Sequence, residues 1–181
     1  MRIVSGIYKS RRFEVPKNFK ARPTTDFAKE NIFNVIGNLT DFDDSVALDL
    51  FAGTGSISFE FLSRGCKEVV CIEKDPFHYA FIQKVKKELK VENLVSVKGD
   101  VFKFFNSCKQ TFDVIFADPP YALKDLSKVP ELVLSGNLLN SGGIFIMEHP
   151  KEYDFSGMPF FYQKRIYGAV NFSIFIKKVD S

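Results

Sequence analysis

The chain has no apolar stretch close to the roughly twenty residues needed to span a bilayer, which argues against a membrane protein. Nor does a long apolar segment follow the basic residues Arg2, Lys9, Arg11 and Arg12, as a secretory signal would require. Both absences point to the cytoplasm. Cysteine is scarce: Cys66, Cys71 and Cys108 are odd in number and at no metal-ligand spacing, so neither a disulfide nor a metal site is expected. His78 and His149 lie far apart, and neither has a sequence partner that suggests catalysis. Internal repeats, low-complexity tracts and linkers are also missing. At 181 residues, 45% hydrophobic and 26% charged, the chain is long enough for one domain with a sizeable core and short for two. A monomer is expected.

Acidic residues are nearly absent from the first 22 positions. Arg2, Lys9, Arg11, Arg12, Lys17, Lys20 and Arg22 are opposed only by Glu14, although the net charge is just +3. A basic arm on a more balanced domain is an electrostatic footprint for phosphate. Tyr8, Phe13 and Phe19 are interleaved with those charges, which favours nucleic acid over a merely solvated face. Residues 3–8 and 12–15 can pair as a hairpin that presents a 9–11 turn to a backbone. The chain thus divides into a basic hairpin arm, 1–22, and a single domain, 23–181. In the domain, Thr24, Thr25 or Asp26 can cap a helix running to Gly37.

What the chain does have is a set of strand ends that carry polar residues. Val46-Ala47-Leu48-Asp49-Leu50-Phe51-Ala52-Gly53-Thr54-Gly55 reads as a buried strand entering a glycine turn, and residues 56–64 have helical spacing. Such a turn brings backbone N–H groups close to a ligand. A dinucleotide fingerprint wants a third glycine where the chain has Ser58. Asp49 is an odd neighbour for a pyrophosphate and suits a positively charged ligand, such as the amino group and sulfonium of S-adenosylmethionine. The next strand, Val69-Val70-Cys71-Ile72, ends in Glu73, placed to bind ribose hydroxyls. Asp75-Pro76 then starts a helix, and the strand 94–98 ends in Gly99-Asp100-Val101. Asp100 is expected at an adenine amino group, with the Val101 N–H at a ring nitrogen. Each carboxylate closes a successive predicted strand on one edge of one sheet, where ligands bind in open α/β folds.

A fourth strand, 114–117, delivers Asp118-Pro119-Pro120-Tyr121. The prolines block a ladder or helix and leave their carbonyls free as acceptors. Asp118 can accept a hydrogen bond from an amine, and Tyr121 can stack on a ring. That set suits a flat base or amide held by its exocyclic nitrogen. Residues 143–147 form a fifth strand, 163–166 and 171–176 a terminal antiparallel pair, and residues 121–128 read as a lid after the catalytic loop. The strand–helix alternation implies right-handed crossovers and a mostly parallel sheet.

The region from Asp49 to Tyr121 resembles the Rossmann-like, S-adenosylmethionine-dependent methyltransferases, and the Asp-Pro-Pro-Tyr loop resembles the branch that methylates exocyclic or amide nitrogens. The N-terminal block is narrower still. Met1-Arg2-Ile3-Val4-Ser5-Gly6-Ile7-Tyr8-Lys9-Ser10-Arg11-Arg12, Arg22-Pro23-Thr24-Thr25-Asp26 and Glu30-Asn31-Ile32-Phe33-Asn34 are similar to the bacterial small-subunit ribosomal RNA guanine-N2 methyltransferases of the RsmD type. The resemblance runs to Tyr167-Gly168, with departures at Ile7 and Ser10. It implies a class I fold with a seven-stranded sheet, S-adenosylmethionine as cofactor, and small-subunit ribosomal RNA, within a ribosomal particle, as partner. It places Asp49, Phe51, Ala52, Gly53, Thr54, Gly55, Glu73, Asp100, Val101 and Asp118 at the cofactor. Asp118, Pro119, Pro120 and Tyr121 fall at the transferred methyl. Arg2, Lys9, Arg11, Arg12 and Arg22 are the candidates for RNA. Adenine N6, a protein amide, or a binding module without catalysis remain the alternatives.

Overall fold

A computed structural model describes residues 1–20 and 24–179. Its centre is a seven-stranded sheet of order β3-β2-β1-β4-β5-β7-β6. The strands are β1 (Val46–Leu50), β2 (Glu68–Glu73), β3 (Leu94–Lys98), β4 (Phe112–Ala117), β5 (Leu139–His149), β6 (Phe161–Tyr167) and β7 (Val170–Ile176). The first five pair in parallel. Strand β7 then runs antiparallel between β5 and β6, so the terminal hairpin inserts its second strand next to the parallel set. This is the expected Rossmann-like α/β architecture.

The central strands are apolar on both faces, and their period of two divides the core into two layers. Ala47, Val114, Phe116, Ile144 and Ile146 pack under α1 (Asp26–Leu39), α2 (Ser56–Ser63) and α3 (Pro76–Leu89). Leu48, Leu50, Ile115, Ala117, Phe145 and Met147 pack under α5 (Lys128–Ser135) and Val101, the first residue of α4 (Val101–Ser107). The helix starts follow local chemistry. Thr25 caps α1 by accepting from the Ala28 N–H at 3.2 Å. Asp75 caps α3 with Pro76 at its first position. Helix α4 is an element the periodicity did not announce: Asp100 caps it, accepting from the Phe102 N–H at 3.0 Å.

The N-terminal arm differs from the expected pair of strands. One antiparallel bridge, Arg2 to Arg12, closes it, with the Ile3 N–H donating to Arg11 O at 3.0 Å and the Phe13 N–H to Met1 O at 2.8 Å. The ladder stops because its backbone is used elsewhere. The Val4 and Ser5 N–H groups donate to the two oxygens of Glu60, at 2.8 and 2.9 Å, and the Ile7 N–H to Ser63 O at 2.7 Å. Gly6 lies so close to α2 that a Cβ there would sit 1.7 Å from Ser63 O. Ile3 and Phe13 join the core. Glu60, fully buried, also meets Arg64 Nε at 3.0 Å and the buried Lys29 ammonium at 3.8 Å. Burial pulls the Lys29 pKa below its ordinary value. The ammonium remains tied to Arg2 O at 2.5 Å and Ser56 Oγ at 2.8 Å.

Candidate active site

The parity that builds the core also assembles the site. Asp49, Glu73 and Asp118 each follow a residue that faces the α4–α5 layer, so all three point to the α1–α3 side at the carboxyl edge of the sheet. Between β1 and α2 the chain bends sharply: Phe51, Gly53 and Gly55 adopt φ of 63°, 56° and 76°. Gly55 has little room for a side chain, since a Cβ would lie 2.9 Å from the Phe59 ring. Glu73 braces this turn. One of its oxygens accepts from the Gly53 N–H at 2.6 Å and the other from the Asp75 N–H at 2.7 Å. A carboxylate has about four acceptor positions, so Glu73 keeps capacity for ribose hydroxyls.

Asp49 is buried beneath the turn and accepts from the Ser58 hydroxyl at 2.5 Å. Burial drives its pKa up to about 7, against the opposing pull of that hydrogen bond. Ser58, which stands where a dinucleotide fingerprint has glycine, thus serves as the partner of Asp49. Asp100 is held well out on the edge. Its pKa is lowered, chiefly by the hydrogen bond from Lys74 Nζ at 3.0 Å. Thr54 is buried and its hydroxyl accepts from the Ser56 N–H at 3.3 Å, while Ala52 donates to Ile72 O at 2.9 Å.

The loop after β4 holds a second polar cluster. Pro119 is buried, Pro120 is exposed, and the Tyr121 ring is half exposed. Asp118 keeps part of its surface open, yet its carboxyl is hemmed in by protein. Desolvation and then the neighbouring Glu148 and Asp49 carboxylates push its pKa well above the usual carboxylate range. Glu148, absent from the residues singled out in the sequence, is the fifth carboxylate of this edge, after Asp49, Glu73, Asp100 and Asp118. The register pairs Ala117 with Met147, so Asp118 and Glu148 are the next residues on adjacent parallel strands. The Thr24 hydroxyl lies 3.5 Å from Asp118 Oδ2 and 3.3 Å from Glu148 Oε2, and the Tyr121 hydroxyl donates to Glu148 Oε1 at 3.3 Å. The signal for Glu148 was available: it directly follows the apolar run 144–147, as Asp118 follows 114–117.

A cleft of about 630 Å³ runs along this side, walled by Thr24, Thr25, Asp26, Thr54 and Ser56 on the domain and by residues of the arm. Arg2 and Arg12 line it. Arg2 is also ion-paired to Asp26 at 2.7 Å. Lys9 lies at a smaller cleft with Arg2 and Arg64, and the Arg11 guanidinium sits over the Phe13 ring at 5.8 Å. Arg22 lies outside the described residues. Residues 121–127 form successive turns pinned to the core by the fully buried Leu126, and residue 128 opens α5.

The model of one protein family, described as "Conserved hypothetical protein 95", matches residues 1–176, which is nearly the whole chain. The chain belongs to this family. Among its relatives, YlbH of Bacillus subtilis (strain 168) is 32% identical over 188 residues, spanning 98% of this chain and all of its own. The ribosomal RNA small subunit methyltransferase D of Haemophilus influenzae is 31% identical over 159 residues, covering 84% of this chain and 80% of its own. The solved structure of yhhF from Escherichia coli superposes with a TM-score of 0.86 at 25% identity, covering 99% of each chain. Family membership thus agrees with the resemblance drawn from the arm and the Asp-Pro-Pro-Tyr loop. The donor set fits S-adenosylmethionine: an open glycine turn, Glu73 for hydroxyls, and the buried Asp49 for positive charge.

Proposed function

We propose that this protein transfers a methyl group from S-adenosylmethionine to the exocyclic N2 of a guanine in small-subunit ribosomal RNA. The observation that carries the reading is the meeting of Asp118 with Glu148 and Thr24 at the strand edge that also presents Asp49 and Glu73. Glu73 and the 51–55 turn hold the nucleoside end of the cofactor, Asp49 balances its charged end, and Asp100 and Val101 close the adenine side. When bound, S-adenosylmethionine supplies a methyl carbon activated by the sulfonium, which leaves with the C–S electron pair as neutral S-adenosylhomocysteine.

The chain's own residues position the nucleophile. Guanine N2 is a weak nucleophile because its lone pair is delocalised into the ring. The Asp118 carboxylate and the Pro119 carbonyl accept its N–H hydrogens, which favours a localised lone pair and stabilises the positive charge developing on N2. N2 gains the methyl and gives up one proton, for which the Asp118 carboxylate is the acceptor. Tyr121 stacks on the base. The target must be unpaired or flipped to enter the cleft. The arm, through Lys9, Arg11 and Arg12, meets phosphate, with Arg2 nearer the base. The setting is the cytoplasm, the substrate a ribosomal particle, and the working unit a monomer.

The test is transfer of labelled methyl to small ribosomal subunits from a strain lacking the enzyme, with naked RNA and large subunits in parallel. N2-methylguanosine from the small subunit alone is the expected product. Label on adenine, on protein or nowhere refutes the substrate.

A further inference from the structure

Phe27, the second residue of α1, is 64% exposed although Ala28 and Lys29 beside it are buried. A lone exposed apolar residue is ordinary on a protein surface. This one is built into the fold. Its ring meets Tyr167 edge-to-face at 6.3 Å, Tyr167 lies against Phe172 at 6.1 Å, and Phe172 against Phe116 at 6.1 Å. Four rings thus climb from the core to the surface. A perpendicular neighbour fixes the plane of Phe27 without covering both of its faces. The series also ends beside the site. Phe116 lies two residues before Asp118, Phe172 pairs with Glu148, and Tyr167 closes β6 at the carboxyl edge. Thr24, which reaches Asp118 and Glu148, is three residues from Phe27, at most about 11 Å of chain. That is the range of a nucleotide next to the target, not of the target itself. Charge on this face favours RNA. Arg165 pairs with Phe172, so it shares the face of Tyr167, and it is exposed. No acidic residue occurs from Phe155 to Val179. The acids at the start of α1 turn to the arm: Asp26 pairs with Arg2 at 2.7 Å, and Glu30 lines the small cleft with Lys9 and Arg64.

We infer that Phe27, propped by Tyr167, is a stacking platform for an unpaired base adjoining the methylated guanine, with Arg165 at the phosphate beside it. The inference rests on the RNA reading above and adds a second base site to it. Every base has a π-face, so the platform holds the strand without reading its sequence. It works while the target is turned into the Asp118 loop, and so offsets part of the cost of unstacking that base. A ring with a guanidinium on the same face matches a nucleotide, base and phosphate together. An apolar protein partner would use the ring and leave the guanidinium unanswered.

The experiment measures kcat/KM on small ribosomal subunits from a strain lacking the enzyme. Phe27→Ala should lose about 5- to 100-fold, the range for one base stacked on an aromatic ring. Phe27→Tyr should stay within about threefold of wild type, whereas Phe27→Leu, apolar but without a π-face, should not. Tm and affinity for S-adenosylhomocysteine should hold in all three, because the side chain is exposed. Subunits are then reconstituted with an abasic residue at each nucleotide flanking the methylated guanine. One of the two positions should cost wild type a similar factor and cost Phe27→Ala nothing further. Arg165→Ala should flatten the salt dependence of RNA binding by about 0.7 in log–log slope. Unchanged kcat/KM in Phe27→Ala, or full activity in Phe27→Leu, overturns the inference. So do equal abasic losses in wild type and Phe27→Ala, which would assign the face to a protein. A wild-type dimer that dissociates in Phe27→Ala overturns it too, by giving the face to a second copy. A wild-type product other than N2-methylguanosine removes the function on which the platform rests, and the two failures are read separately.

Discussion

Replacing Glu60 with Gln should loosen the arm from the domain and destabilise the whole protein. Glu60 has no exposed surface and serves four partners: the Val4 and Ser5 N–H groups at 2.8 and 2.9 Å, Arg64 Nε at 3.0 Å and Lys29 Nζ at 3.8 Å. The substitution removes the charge facing two cations and turns an NH₂ group toward backbone donors that need an acceptor. Breaking a buried ion pair from one side costs about 3–5 kcal/mol, because the remaining charge stays desolvated. The Lys29 ammonium is in that position, although Asp26 at 3.9 Å and its contacts to Arg2 O and Ser56 Oγ moderate the loss. For a domain of this size that corresponds to a fall in Tm of roughly 6–20 °C. Calorimetry gives the Tm. Hydrogen exchange at Val4 and Ser5, with limited proteolysis at Arg11 and Arg12, reports whether the arm is released. A Tm within about 2 °C of wild type, with those amides still protected, would refute the argument that Glu60 holds the arm in place.

Asp118→Ala should retain S-adenosylhomocysteine binding and lose about 10²- to 10³-fold in kcat, as removal of a transition-state hydrogen bond does; near-normal turnover excludes it from the chemistry. Glu73→Ala should weaken the cofactor measurably in calorimetry, since it also releases the Gly53 and Asp75 amides, and an unchanged affinity contradicts its placement. Substituting Arg11 and Arg12 together by Ala should lower RNA affinity and flatten its dependence on salt, by about 0.7 in log–log slope for each phosphate no longer neutralised. Asp49 yields a pH prediction. Its folded pKa of about 7 lies above the unfolded value, so the free protein binds more protons than the unfolded chain between about pH 4 and 7. Its contribution therefore makes folding stability fall as pH rises through that window. A cationic cofactor favours the ionised carboxylate, so S-adenosylmethionine should bind more tightly at pH 8 than at pH 6. Affinity independent of pH would separate Asp49 from the cofactor's charge.

The sheet edge was readable because strands carry their own ruler. An apolar run with a polar residue at its end marks the carboxyl edge, and a period of two says which face that residue takes. Asp49, Glu73 and Asp118 satisfy this rule, and the glycine turn between β1 and α2 announces itself through Gly53 and Gly55. The rule covers Glu148 equally well. Its neighbour Asp118 is marked by the two prolines that follow it, whereas Met147-Glu148-His149 continues as ordinary strand.

Other parts depended on docking. The 1–13 arm has the alternation of a hairpin, but its amides were claimed by Glu60 and Ser63, some 56 residues away. Local periodicity cannot express that competition, because the acceptors reach the arm only after α2 has packed on the sheet. Likewise Asp100 read as an adenine contact from its strand end, while the folded chain also makes it the cap of α4 and the partner of Lys74. The amino-acid sequence by itself determined the α/β alternation, the strand ends and the chemical types gathered there, since these follow from patterns a few residues long. Tertiary structure alone decided which carboxylates became neighbours, which were braced by backbone amides and which were desolvated. Those properties arise from distance and burial between segments far apart in the chain.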